Sequence, residues 1–169
     1  MSKKFFIKIV TDPDVDLRKC IVGIACAAQA INDGYDVDVF FAADGVKMIH
    51  AAFIQSVNEK GSIPDGMIYD MLNTITSGAS KVYCSTGSQA ANGVTKENAD
   101  EMLLEGYSNW MTWSGPPGVI ELSAASDVQL VYRCEDCLSE SNSLGILYVY
   151  VNPSPMRVNS SSSSSNLTR

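Results

Sequence analysis

Long hydrophobic runs are missing from this 169-residue sequence. Ile146 to Val151 and the alanine-rich stretch Ile21 to Ile31 come nearest, and both fall short of the roughly eighteen apolar residues a membrane-spanning helix needs. No membrane contact is expected. Positive charge is also scarce: Lys and Arg number 12 against 19 Asp and Glu, a net charge of -7. Such a surface repels phosphate backbones, so no nucleic-acid partner is expected. Histidine occurs once, as His50, which leaves a Cys-His hydrolase or a zinc site short of groups. No glycine-rich phosphate loop follows the first apolar run, so nucleotide-binding α/β domains lose their main device. There is no internal repeat. The five cysteines (Cys20, Cys26, Cys84, Cys134 and Cys137) are odd in number, and the apolar run after Lys4 is too short for a signal peptide. Reduced thiols in a cytoplasmic protein are the expectation.

What is present is 46% hydrophobic and 18% charged, enough for one globular domain with a sizeable core and a tail. Phe5 to Val10 reads as a strand that ends at Thr11-Asp12-Pro13-Asp14, where short acceptor side chains and a proline open a helix. Leu17, Ile21, Ile24, Ala28 and Ile31 recur at helical spacing up to Asn32, and Gly34 ends that helix in left-handed geometry. Tyr35 to Phe41 alternates as a second strand, and Val46, Ile49, Phe53 and Val57 continue as one helix. Ile68, Leu72 and Ile75 mark a further helix ending at Gly78, before a strand that contains Cys84. Thr95 is placed to cap a helix over Lys96 to Glu105. Tyr107 to Trp113 reads as a short strand, Pro116-Pro117-Gly118 introduces a helix, and Asp127 to Tyr132 is the last strand of the series.

Strands alternating with helices at this interval favour right-handed crossovers and a parallel sheet covered on both faces. The expected fold is therefore α/β, a three-layer α/β/α sandwich with a mainly parallel sheet of about five strands. It occupies residues 1–132, and residues 133–169 form an extension. In that extension Leu144 to Val151 suits an edge strand or a partner contact. The serine tract Ser160 to Ser165 has too little apolar area to offset its ordering entropy.

Cys84 is the candidate reactive group. Lys81-Val82-Tyr83-Cys84-Ser85-Thr86-Gly87-Ser88 delivers one cysteine from a strand to a hydroxyl-rich turn before a helix. The unpaired N–H groups and positive dipole of a helix start stabilise a thiolate. The same residue also reads as a small hydrophobe ending a buried strand. Ser85, Thr86, Gly87 and Ser88 are candidate N–H and hydroxyl donors to a sulfur anion. Asp44, at the end of the second strand, is a candidate for orienting a ligand at the carboxyl edge of the sheet, or else for capping the next helix.

Four stretches, in order, resemble the landmarks of the DsrE/DsrF-like family of small sulfur-relay proteins: Thr11-Asp12-Pro13; Gly34 to Phe41 leading to Asp44-Gly45-Val46; Gly78 to Cys84; and Ala125-Ser126-Asp127-Val128. The resemblance spans about residues 5 to 132. It implies a homo-oligomer, a trimer or hexamer, that exchanges sulfur with donor and acceptor proteins and needs no cofactor. It also implies a persulfide held on the cysteine matching Cys84. Where relatives often carry a basic residue before the glycine matched by Gly93, this chain has Ala91-Asn92, so activation of a thiolate would fall to the helix end.

Other constellations have simpler readings. Cys134 and Cys137 have the spacing of a redox pair or half a zinc site, with chance or packing as the plainer explanation, and no metal site is expected. His50 falls off the Ile49 and Phe53 stripe, which suggests an exposed or interface imidazole. Asp12, Asp14 and Asp16 are explained by helix capping more simply than by a magnesium site. Tyr107, Trp110 and Trp113 suit a pocket lining or a subunit contact.

Overall fold

A computed structural model describes residues 3–61, 63–133 and 148–151. β1 (Lys4–Ile9) leads to Asp12, whose carboxylate accepts from the Asp14 N–H at 3.0 Å and caps α1 (Pro13–Asn32). The Asp12 cap and Pro13 open a single turn that breaks at Asp16, which is non-helical with φ -144° and ψ 80°; Asp16 then accepts from the Lys19 N–H at 3.0 Å, so the long helix runs from Leu17, where its apolar spacing begins. Gly34 follows it with φ +81°, the left-handed stop expected there. β2 (Asp36–Phe41) lies parallel to β1, in register from Lys4 with Asp36 to Ile9 with Phe41.

The single helix expected over Val46 to Val57 is instead two pieces, a 3-10 helix (Ala43–Ile49) and α2 (Ala51–Glu59). His50 separates them in an extended conformation, φ -84° and ψ 127°, and bridges to Leu103, while the Leu104 N–H reaches the Ile49 carbonyl at 2.9 Å. A tertiary pairing has overridden a local period. Gly45 is fixed by close approach: a Cβ there would lie 2.5 Å from the Ile9 carbonyl oxygen.

α3 (Met67–Gly78), β3 (Lys81–Ser85) and α4 (Thr86–Ala91) follow the expected order. The next helix is shorter than its sequence suggests: α5 covers Ala99–Met102 alone. Asn98, not Thr95, precedes it. The Asn98 side chain accepts from the Thr95 N–H at 2.7 Å and donates to the Gly93 carbonyl at 3.0 Å, so residues 93–98 form a loop held by one amide. The aromatic segment is a helical turn, α6 (Tyr107–Trp110), and only Thr112–Ser114 form strand β4. Its aromatics anchor onto α3: the Tyr107 hydroxyl donates to the Leu72 carbonyl at 3.1 Å, and Trp110 Nε1 donates to the Thr76 carbonyl at 2.8 Å.

α7 (Pro116–Ala125), β5 (Val128–Tyr132) and β6 (Tyr148–Val151) complete the described elements. The sheet order is β4-β3-β2-β1-β5-β6, with the first five parallel and β6 antiparallel on the β5 edge. Tyr148–Val151, the described part of the run expected to suit an edge strand, is thus an edge strand. One face of the sheet packs α1 and α3 around Ile7, Ile9, Ile24, Phe41 and Leu72; the other packs α7 over Phe6, Phe40 and Leu122. The architecture is the expected α/β fold with helices on both sides. Among the described residues no helix is long and apolar enough to cross a membrane.

Candidate functional site

β3 carries Cys84 to the carboxyl edge of the sheet, where it pairs with Phe41 of β2 on one side and Trp113 of β4 on the other. Successive strand residues point to opposite faces, so Cys84 and Ser85 face different layers. Cys84 faces the larger core and has no exposed surface. Burial pushes its thiol up to about 12, outweighing the downward pull of the Gln89 amide and of Lys96. The thiolate expected at a helix start is not the resting form of this thiol. The reason is physical: the sulfur lies within the larger core, next to Gln89 of α4, and its desolvation exceeds what a six-residue helix can return.

The hydroxyls expected to hold a sulfur anion are engaged elsewhere. Ser85 Oγ accepts from the Ser88 N–H at 3.2 Å and caps α4. Ser88 Oγ accepts from the Ala43 N–H at 2.9 Å. Ala43 has φ +47°, a left-handed conformation unusual for alanine, and this bond ties that strained turn to α4. Asp44 joins the same junction, its Oδ1 accepting from Asn92 Nδ2 at 3.3 Å, and it makes no side-chain cap of the 3-10 helix. Ser88 and Asp44 are therefore brought together as the stitching between α4 and the 3-10 helix, while Ser85 caps α4 itself. Thr86 and Gly87 lie exposed on the outer side of α4.

Two residues near this strand end differ from the sequence reading: His50 reads there as a surface residue, and Gln89 is not singled out. His50, expected at a surface or an interface, is buried, and its Nε2 lies 2.7 Å from Gln89 Oε1. Burial is the main cause that lowers its pKa, with Lys47 adding to it and Gln89 opposing, so the ring is neutral. Gln89 is fully buried within α4. The signal available in the sequence was one long amide among Gly87, Ser88, Ala90 and Ala91, in a helix too small to have two faces.

The acidic cluster after β1 is partly offset within the chain. Lys47 Nζ lies 2.9 Å from Asp12 and 2.8 Å from Asp14, and Lys19 Nζ lies 3.8 Å from Asp16, while Asp12 and Asp16 also accept from the Asp14 and Lys19 N–H groups, as the capping role requires. Among the described residues no group of three His, Cys, Asp or Glu is placed to hold a metal. Cys134 and Cys137 lie outside the described residues. On the face of the sheet away from Cys84, an open groove of about 320 Å³ is lined by Phe40, Ala42, Ser85, Pro116, Val119 and Ile120. It is apolar and does not lead to the sulfur.

No family model matches the chain, and no curated protein matches its sequence. Among solved structures, the crystal structure of the ychN protein from E. coli matches 79% of this chain and 100% of its own, with a TM-score of 0.51 and 13% sequence identity. The likeness at that identity is one of fold: the chain shares the architecture of ychN.

Proposed function

We propose that this protein is a sulfur carrier whose acceptor, Cys84, is stored protonated and closed and takes sulfane sulfur when α4 opens. The observation that carries the reading is the position of Cys84. It sits at the carboxyl end of an inner parallel strand, where α/β sheets place their chemistry, beside a helix of only six residues whose first turn is capped by Ser85. The fold likeness supports it as analogy. With the thiol near 12, about one sulfur in a hundred thousand is ionised at neutral pH. Exchange in the closed state is thus suppressed, and a sulfur once loaded is shielded from solvent thiols. Sulfur would pass to and from partner proteins at this edge in a homo-oligomer.

The test is mass spectrometry after incubation with a low-molecular-weight persulfide. A one-sulfur adduct on the parent that is absent from Cys84→Ser supports the carrier. An adduct equally abundant in Cys84→Ser refutes it.

A second reading, a non-catalytic binding module of the same fold, is favoured by one observation: the open concavity at this edge lies on the other face from the sulfur. It predicts no sulfur adduct on the parent, and partner binding unaffected by Cys84→Ser.

A further inference from the structure

The buried polar groups beneath α4 form a chain, and one of them is left incomplete. His50 Nε2 faces the carbonyl oxygen of the Gln89 amide at 2.7 Å; since that oxygen only accepts, the ring proton sits on Nε2. With that tautomer the ring donates to the oxygen and so holds the amide in the orientation the structure gives it. Its Nε2 is turned away from the histidine, and in a fully buried side chain it has no hydrogen-bond partner among the described residues. The neighbour it acts on is Cys84, whose ionised form it favours without closing a hydrogen bond to the neutral thiol. A buried amide donor left open costs stability, so its persistence beside a sulfur calls for an acceptor that is present only part of the time.

We propose that Gln89 is a sulfur-binding residue whose amide N–H receives the terminal sulfur of a Cys84 persulfide, and that His50 is the positioning residue that holds the amide in that orientation. The inference rests on the carrier reading and deepens it. A second sulfur extends the side chain by about 2 Å and brings an anionic acceptor to a donor that the thiol alone leaves unpaired. Loading requires no oxidant. Cys84–SH reacts with R–S–S⁻ to give Cys84–S–S⁻ and R–SH. The donor's S–S bond breaks as the new one forms, and the Cys84 proton leaves on the departing thiol. His50 stays neutral throughout and takes no proton.

The sole histidine of the chain is its own spectroscopic reporter. Ring nitrogen NMR on the full-length protein, before and after loading with a low-molecular-weight persulfide, is combined with the lifetime of the adduct in four variants. The expected result is a protonated Nε2 at neutral pH and ring shifts that change on loading. Adduct lifetime should fall about ten- to a hundredfold in Gln89→Met, which keeps volume but loses the donor. His50→Phe should fall likewise. His50→Gln, which keeps an N–H facing the amide oxygen, should remain within a few-fold of the parent. Gln89→Glu, which places a carboxylate beside the sulfur, should load least. A parent that loads normally while Gln89→Met keeps its adduct as long, or a ring protonated on Nδ1 alone, overturns this inference and leaves the carrier standing. A parent that takes up no sulfur overturns both.

Discussion

The two sides of the end of β3 differ by one residue in sequence and by almost everything in environment. On one side Cys84 is sealed under α4 with a neutral histidine and an amide; on the other Ser85 borders an open, apolar groove along α7. Cys84 and Gln89 have no exposed surface, and the groove residues named above include no titratable group. The contrast shows that the helix start does not decide the state of this thiol. The surroundings together, with desolvation the largest cause, oppose the charged form by about 4 kcal/mol, judged from a thiol moved from 9.0 to about 12, while a helix end contributes roughly 0.3–1 kcal/mol. Reactivity at this cysteine is therefore a question of how often α4 opens.

The sharpest way to break the contrast is to hollow out the sealed side. Phe41 is fully buried and pairs with Cys84, so Phe41→Ala should lower unfolding free energy by about 3–5 kcal/mol in denaturant titrations. A loss below 1 kcal/mol would mean the sealed side is not packed as described.

The second effect is pH-dependent. The folded thiol is raised above its ordinary value, so its contribution to stability is intact below about pH 9 and is lost as pH rises toward about 12. Between pH 9 and 10 the parent should lose about 1 kcal/mol more than Cys84→Ala. Buried Tyr107 and Tyr132 are raised too and act in both proteins, so the difference between the two isolates the cysteine. Equal alkaline slopes would show that the thiol ionises freely in the folded state.

Removing the cap on α4 comes third. Ser85→Ala deletes the acceptor for the Ser88 N–H, costing about 1 kcal/mol, and should speed native-state alkylation of Cys84 about fivefold while leaving Cys20 unchanged. A Cys84 rate that does not move would mean α4 is not the cover that opens. Ile120, 68% exposed on the open side, is the smallest case: Ile120→Ala should change stability by no more than about 0.5 kcal/mol.

The order of strands and helices was legible because it is written in local periods and punctuation. Gly34 and the Pro116-Pro117 pair mark boundaries through their own backbone preferences, whereas Gly78, the last residue of α3, is required by the close approach of the Ile31 side chain. Asp44-Gly45 was legible as a landmark, and its cause became visible only with the Ile9 carbonyl against Gly45. Ser126-Asp127 is similar: the Asp127 carboxylate accepts from the Lys4 N–H at 2.8 Å and its own N–H returns to the Lys4 carbonyl at 2.9 Å, joining two strand starts far apart in sequence. What stayed hidden was set by tertiary partners. His50 breaks a helix because Leu103 pairs with it. Asn98 displaces Thr95 because its amide spans the loop to Gly93. Cys84 was readable either as a nucleophile or as a buried strand end. The sequence does not contain the fact that decides its resting form, which is how tightly α4 closes over it.

The most direct measurement is peptide-mapped mass spectrometry of the native protein after a brief exposure to a low-molecular-weight persulfide, comparing the parent with Ser85→Ala. The account predicts one added sulfur on the peptide containing Cys84, appearing faster when the cap is lost. Sulfur distributed over Cys20, Cys26 and Cys84 alike, or none on Cys84 in either protein, would contradict it.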